Sequence, residues 1–321
     1  MQRNDIRRQL TWSGERVRGI FQDHDDAPGL CKLWRLQALV HWLQGQCAAA
    51  EAAWEQAAEQ ARKAGDDRAR AEVLSWVASS TFIGPTPARE GIRRCEAIRD
   101  QVQGDRRAAA ATLYPLAGLY AMTGRFDTAR ELLHLAHRTL EDLGYVTLSS
   151  SFTQFEGYVE ILAGDLTRAE QRLAFGLERL EEMGEKAFVS SSAALLAEVL
   201  YQQGRQEDAA RFVDRSKETA APDDLAAQVT WRMVQAKILT TTGHLEDAET
   251  LACHAVALAA ATDWSTYHAA ACAALGEVLR ECGRPEEAEG AIGEALRLYG
   301  AKENVVAVKE VQTLLARPVP M

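Results

Sequence analysis

The sequence predicts an all-α fold: a right-handed superhelical solenoid of about seven antiparallel helix hairpins. Two interleaved glycine series and a register of small residues carry that reading. The first series is Gly45, Gly84, Gly124, Gly164, Gly204, Gly243 and Gly283. The second is Gly65, Gly104, Gly144 and Gly184, with Asp223 and Asp263 standing where the glycine lapses. Two breakers per period of about 40 residues describe helix, short turn, helix, longer turn. Self-similarity at such a period marks a quasi-one-dimensional repeat architecture. The expectation is an open stack that binds along its surface rather than in a deep pocket.

The stretches before the first-series glycines are helical in pattern. In Leu113-Tyr114-Pro115-Leu116-Ala117-Gly118-Leu119-Tyr120 and Ser192-Ala193-Ala194-Leu195-Leu196-Ala197-Glu198-Val199-Leu200, apolar residues recur at three- and four-residue spacing. Each glycine then ends its helix by accepting left-handed backbone. The following residues restart one, as in Gly124-Arg125-Phe126-Asp127-Thr128-Ala129 and Gly283-Arg284-Pro285-Glu286-Glu287-Ala288. Acidic residues suit the helix dipole there, and Pro285 sits where no backbone donor is needed.

Small residues keep register with the glycines. Ala38, Ala117, Gly157, Ala197, Ala236 and Gly276 precede them; Ala50, Ala129, Ala169, Ala209, Ala248 and Ala288 follow. A third set is Ala57, Ala136, Gly176, Ser216, Ala255 and Ala295. Two helices joined by a tight turn cross where neither can hold a bulky side chain.

The second repeat departs from the pattern. Gly84-Pro85-Thr86-Pro87-Ala88-Arg89 carries two prolines, and Arg89 takes the place of the small residue. Proline forbids a continuing helix and biases its predecessor toward extended backbone. The turn is therefore read as a longer one absorbing two residues, with a functional kink or partner site as the other reading.

Residues 1–29 read as an N-terminal partial helical segment, 30–300 as the solenoid, and 301–321 as a capping helix and tail. The net charge of −10 argues against nucleic-acid or anionic-membrane binding, which need a basic surface. No apolar run is long enough to span a membrane. The N-terminus lacks the apolar core of a secretory signal, and six scattered cysteines read as reduced thiols, so a cytoplasmic location is expected.

No phosphate loop, dinucleotide fingerprint or nucleophile elbow appears. Cys253, His254, His268, Cys272 and Cys282 form the one Cys/His group to weigh. Zinc needs four converging ligands. The small residues flanking these cysteines favour packing instead. No cofactor, metal or catalytic residue is assigned. Trp54 reads as a core wedge, Trp34 and Trp76 as core.

The register resembles the tetratricopeptide repeat, over roughly residues 30–300. It departs in length, since the standard repeat is about 34 residues. The resemblance implies that side chains thirteen, ten, six and three residues before each glycine face the concave surface: Lys32, Arg35, Trp42, Tyr114, Gln154, Tyr158, Glu198, Tyr201, Lys237, Glu277 and Arg280. Aromatics would anchor a partner there and charges would select it. The segments Gly84–Glu96, Gly124–Leu133 and Leu275–Ala307 are similar to the C-terminal repeats of bacterial signalling proteins. In those, a nucleotide cyclase or DNA-binding module is joined to an AAA-type ATPase. The resemblance implies a non-catalytic regulatory module for a protein or peptide partner, with an attached ATPase, cyclase or regulator domain reading its superhelical pitch. A small-molecule-sensing domain and, behind it, a metal-dependent enzyme are the alternatives.

Overall fold

The computed structural model describes residues 17–316. The first part of the expected N-terminal segment over residues 1–29 lies outside them, as does the end of the expected tail over 301–321. Helix α1 covers residues 17–23, and the hairpins follow. They are α2 (Ala27–Leu43) with α3 (Cys47–Lys63), α4 (Asp67–Ile83) with α5 (Ala88–Gln101), and α6 (Arg106–Met122) with α7 (Phe126–Asp142). The fourth has a broken first helix, α8 (Val146–Ser151) and α9 (Thr153–Ala163), packed on α10 (Leu166–Glu182). Then come α11 (Val189–Gln202) with α12 (Gln206–Thr219), α13 (Leu225–Thr241) with α14 (Leu245–Ala260), and α15 (Ser265–Glu281) with α16 (Pro285–Ala301). Helix α17 (Val305–Ala316) ends the described chain. The fold is a solenoid of seven helical hairpins.

The small-residue register is the contact line within each hairpin. Ala50, Ala129, Ala169, Ala209 and Ala248 are fully buried, and Ala288 nearly so. A Cβ on Gly157 would lie 2.6 Å from Leu173, and one on Gly276 would lie 2.5 Å from Ile292. On Gly176 it would overlap Thr153 Oγ1 and come within 2.7 Å of the Ser150 carbonyl. These helices approach as closely as backbone allows, so dispersion contacts replace large side chains. Buried carboxylates on α9 tie the fourth hairpin both to α7 and to its own α10. Glu160 receives Arg130 at 2.6 Å and Arg168 at 3.1 Å; Glu156 receives Arg172 and faces His137 at 3.3 Å.

The stack is not open. It closes on itself after one superhelical turn, and the residues that break the repeat pattern form the seam. Asp263, between α14 and α15, accepts from Cys47 N at 2.7 Å and Ala48 N at 2.8 Å, 216 and 215 residues away. Its own N–H donates to the Gly45 carbonyl. Asp263 thus caps the N-terminus of α3, where free N–H groups and the helix dipole favour an anion.

One hairpin on, the pattern recurs. Ala88 N donates to the Lys302 carbonyl and Arg89 N to Glu303 Oε2, so the α16–α17 turn caps α5. The Lys302 side chain is fully buried. Its ammonium donates to the carbonyls of Thr81 (3.0 Å), Gly84 (2.6 Å) and Thr86 (2.7 Å). Gly84 and Thr86 each precede a proline, and the extended backbone this imposes turns their carbonyls to one side. Gly84 is correspondingly the one first-series glycine without a positive φ. Burial pushes the Lys302 ammonium down to about 8, opposed by the nearby Cys47 and Glu51. Beside the seam Trp54 stacks on Trp76 and Trp76 meets Trp42 edge-on at 5.5 Å, and Trp42 reaches across it to Trp264 at 6.5 Å.

Candidate functional site: a half-open cavity inside the ring

Closure converts the concave face into a cavity of about 680 Å³. This corrects the expectation of surface binding on an open stack. The repeat pattern determines each hairpin, whereas ring closure depends on how small rotations accumulate over the superhelix. The first helices of hairpins four to seven supply most of the wall. Phe82 and Ile83 close one end, and Tyr299, Asn304 and α17 close another side. Gly118 makes room for Phe82, because a Cβ there would strike the ring. Phe82 in turn packs against Phe155 and Tyr158.

The polar centre comes from one register position. Tyr158, Glu198, Lys237 and Glu277 each lie six residues before a turn glycine, on α9, α11, α13 and α15, and all four line the cavity. Lys237 Nζ donates to Glu198 Oε1 at 2.8 Å, and Gln202 Nε2 donates to the same oxygen at 2.8 Å. Glu198 Oε2 is buried and accepts no hydrogen bond within the protein; Thr266 Oγ1, also in the lining, is buried without a partner. Burial alone would lower the Lys237 ammonium, but Glu198 and Glu277 outweigh it and hold it above its ordinary value. Burial alone would raise Glu198, and Lys237 with Gln202 holds it below. Both are therefore charged at neutral pH. The Tyr201 ring faces Lys237 at 5.7 Å, and Asn304 donates to the Tyr158 hydroxyl at 3.3 Å.

Six of the eleven residues read as inward-facing meet here: Gln154, Tyr158, Glu198, Tyr201, Lys237 and Glu277. The other five do not line the cavity. Tyr114 is fully buried against Phe152 and Phe155, so it belongs to the core rather than to a binding surface. Trp42 is held in the tryptophan row of the seam. Arg35 pairs with Glu72 at 2.8 Å and Lys32 is exposed on α2. Arg280 donates to the Leu314 carbonyl on α17. Sequence reasoning missed Phe82, Phe155, Leu195, Met233, Tyr267, Tyr299 and the α17 residues. Phe155, Leu195 and Ala274 lie nine before their glycines, a position the concave rule omits. Residues 299–314 have no repeat register to place them.

Among the described residues no group of three or more His, Cys, Asp or Glu is placed to hold a metal, and no helix is long and apolar enough to cross a membrane. Cys272 is buried, whereas Cys253 is exposed rather than packed.

Known proteins share this architecture. The family Tetratricopeptide repeat matches residues 110–134, 190–215 and 269–298. Among curated proteins there is no sequence match. Among solved structures, the Rap conjugation gene regulator of plasmid pLS20, in complex with the Phr* peptide, is similar. It is 15% identical, with 91% of this chain and 78% of that one covered at a TM-score of 0.67. A Rap protein complexed with competence and sporulation factor is 16% identical, with 90% and 76% covered and a TM-score of 0.61. A STAND signal-transduction ATPase with a tetratricopeptide-repeat sensor, from Pyrococcus horikoshii, is 11% identical, with a TM-score of 0.53. It covers 93% of this chain, which spans about half (51%) of that protein. Three stretches of this chain match the tetratricopeptide repeat, and the hairpins between them share its fold.

Proposed function

We propose that this chain is a non-catalytic regulatory module that binds a short peptide segment in its central cavity. The observation that carries the reading is the cavity itself, about 680 Å³ in volume, where aromatic side chains line the wall around the Lys237–Glu198 ion pair. Cavities of roughly 300–1,000 Å³ with apolar walls and a few convergent polar groups are the usual form of binding sites. The Rap neighbours, which hold Phr* peptide and competence and sporulation factor, support a peptide as occupant. The STAND neighbour, whose repeats are a sensor, supports coupling to an output domain such as an ATPase. A small organic ligand is the second reading, favoured by the side of the cavity that α17 closes.

The test is peptide display on the full chain, with Ala270→Phe as comparison. Ala270 lines the cavity and is not buried in a hairpin crossing, so a ring there fills the space. Selected peptides are expected to bind the parent and lose binding to the folded Ala270→Phe variant. Equal affinity for both proteins would sink the reading.

A further inference from the structure

The turn between α16 and α17 holds the seam on one side and the cavity on the other. Tyr299 and Asn304 line the cavity, and Lys302 and Glu303 stand between them. Lys302 sets its ammonium on the carbonyls of Thr81, Gly84 and Thr86, and its own carbonyl accepts from Ala88 N at 2.8 Å. Glu303 caps Arg89 N at 3.0 Å. Across the seam the arrangement is the same: Phe82 and Ile83 line the cavity, and Gly84 follows them directly. Each half of this latch therefore adjoins the cavity wall in sequence. Asn304 completes the turn. It is fully buried; its Oδ1 accepts from Ala307 N at 3.1 Å, and its Nδ2 donates to the Tyr158 hydroxyl. One side chain thus fixes the start of α17 and a tyrosine of the wall. Glu303 lies 40 residues after Asp263, where the second breaker series would place glycine, and it has a left-handed φ of 57°. Glycine would adopt that backbone without strain but could not cap Arg89.

The turn has two states. In the latched state the Lys302 ammonium sits in its cradle of carbonyls and Glu303 caps α5. In the released state these groups face water, and the hairpins persist because each is held by its neighbours. Only the latched state completes the cavity. Phe82 and Ile83 reach it from one side of the seam, and Tyr299, Asn304 and α17 from the other. A ligand that touches both sides binds the latched state better, and such differential affinity is what shifts an equilibrium. We infer that the α16–α17 turn couples the cavity to the seam: filling the cavity tightens the latch, and releasing the latch weakens what the cavity holds. The part that concerns a ligand rests on the cavity being the binding site; the tie between Tyr158 and the latch does not.

Amide hydrogen exchange, followed by NMR on the full chain, tests it. The Ala88 and Arg89 amides report the latch. Those of Leu133 and Ala136 on α7, buried away from the cavity lining, report general opening. Tyr158→Phe keeps the ring and removes the hydroxyl that Asn304 meets. Exchange at Ala88 and Arg89 is expected to rise at least about threefold, with Leu133 and Ala136 unmoved. A peptide selected by display, added to saturation, should slow Ala88 and Arg89 at least about threefold more than it slows Leu133 and Ala136. In the reverse direction, Lys302 does not line the cavity, yet Lys302→Met should weaken that peptide at least about threefold. Equal change at all four amides, or none, in either measurement overturns the inference. So does an unchanged peptide constant in folded Lys302→Met. If no peptide is lost in Ala270→Phe, the binding-site reading falls and Tyr158→Phe alone decides the coupling. If peptides are lost there and Ala88 and Arg89 stay unmoved, the coupling falls and the binding site stands.

Discussion

The fourth hairpin and the seam are held together in different ways, the first by close approach of two helices and the second by groups that satisfy backbone at helix ends. In the hairpin, α9 and α10 touch through Gly157, Gly176 and Ala169, and the pairs Glu160–Arg168 and Glu156–Arg172 join the two helices beside that close crossing. At the seam, helices from the two ends of the chain meet through Asp263, Lys302 and Glu303, which supply charge to helix termini and carbonyls. The first arrangement recurs every 40 residues; the second occurs where the recurrence fails. Repetition in this chain encodes packing between neighbours, and lapses in the repetition encode contacts between residues more than 200 positions apart.

That contrast can be broken most severely at Gly176. A valine there meets Thr153 and a backbone carbonyl that cannot swing away. Overpacking of this kind costs about 3 kcal/mol. Chemical denaturation should show a large fall in midpoint; an unchanged midpoint would mean the helices have room to part. Ala169→Leu, at the same crossing, should lose roughly 1–3 kcal/mol.

Lys302→Met tests the seam. It relieves the burial of an ammonium but leaves the carbonyls of Thr81 and Thr86 without that donor and Gly84 with only Ser265 at 3.5 Å, at about 1–3 kcal/mol for each group left unsatisfied. The second effect outweighs the first, and a net loss of about 2 kcal/mol is expected at neutral pH. Small-angle scattering should show an expanded ring. The pH dependence adds a sign. Lys302 releases its proton near pH 8 in the fold and near 10.5 when unfolded. Between those values the unfolded chain holds the extra proton, so this residue's contribution to stability rises with pH. The parent should gain on Lys302→Met as pH is raised through that window; parallel curves would show that the ammonium titrates normally.

Asp263→Ala removes a single cap and should lose about 1–2 kcal/mol by thermal or chemical denaturation. If it costs as much as Gly176→Val, the seam carries more than its hydrogen bonds suggest. At the bottom of the scale, Arg297→Ala breaks an exposed pair with Glu294 and should leave the midpoint where it was.

The helices, their turns and their crossings were legible because each depends on residues within one period. Gly124, Ala129 and Ala136 say the same thing in one repeat that Gly243, Ala248 and Ala255 say in another. Within the site, the row Tyr158, Glu198, Lys237 and Glu277 was legible for the same reason. What was not legible depends on the whole superhelix. The prolines at 85 and 87 and the missing glycine at 263 stood out as departures, yet nothing local reveals that the partner of the first is Lys302. Tyr114 obeyed the inward register and still went to the core, because the break at Phe152 carries two aromatic rings over it. Helix α17 was read as a lid for the last hairpin; its second role, as part of the cavity wall, appears only once the ring has closed.

The seam also imposes an order on biosynthesis. Helices α3 and α5 are complete early, but the groups that satisfy their N-termini are Asp263, Lys302 and Glu303. At ordinary translation speeds those residues follow on the order of tens of seconds later. During that interval the first two hairpins exist with bare helix ends and an uncovered tryptophan edge, where a chaperone would find purchase. Such long-range contacts are also the slowest to form, since loop closure precedes any gain from them. The finished ring therefore depends on its beginning staying unaggregated until its end has been made.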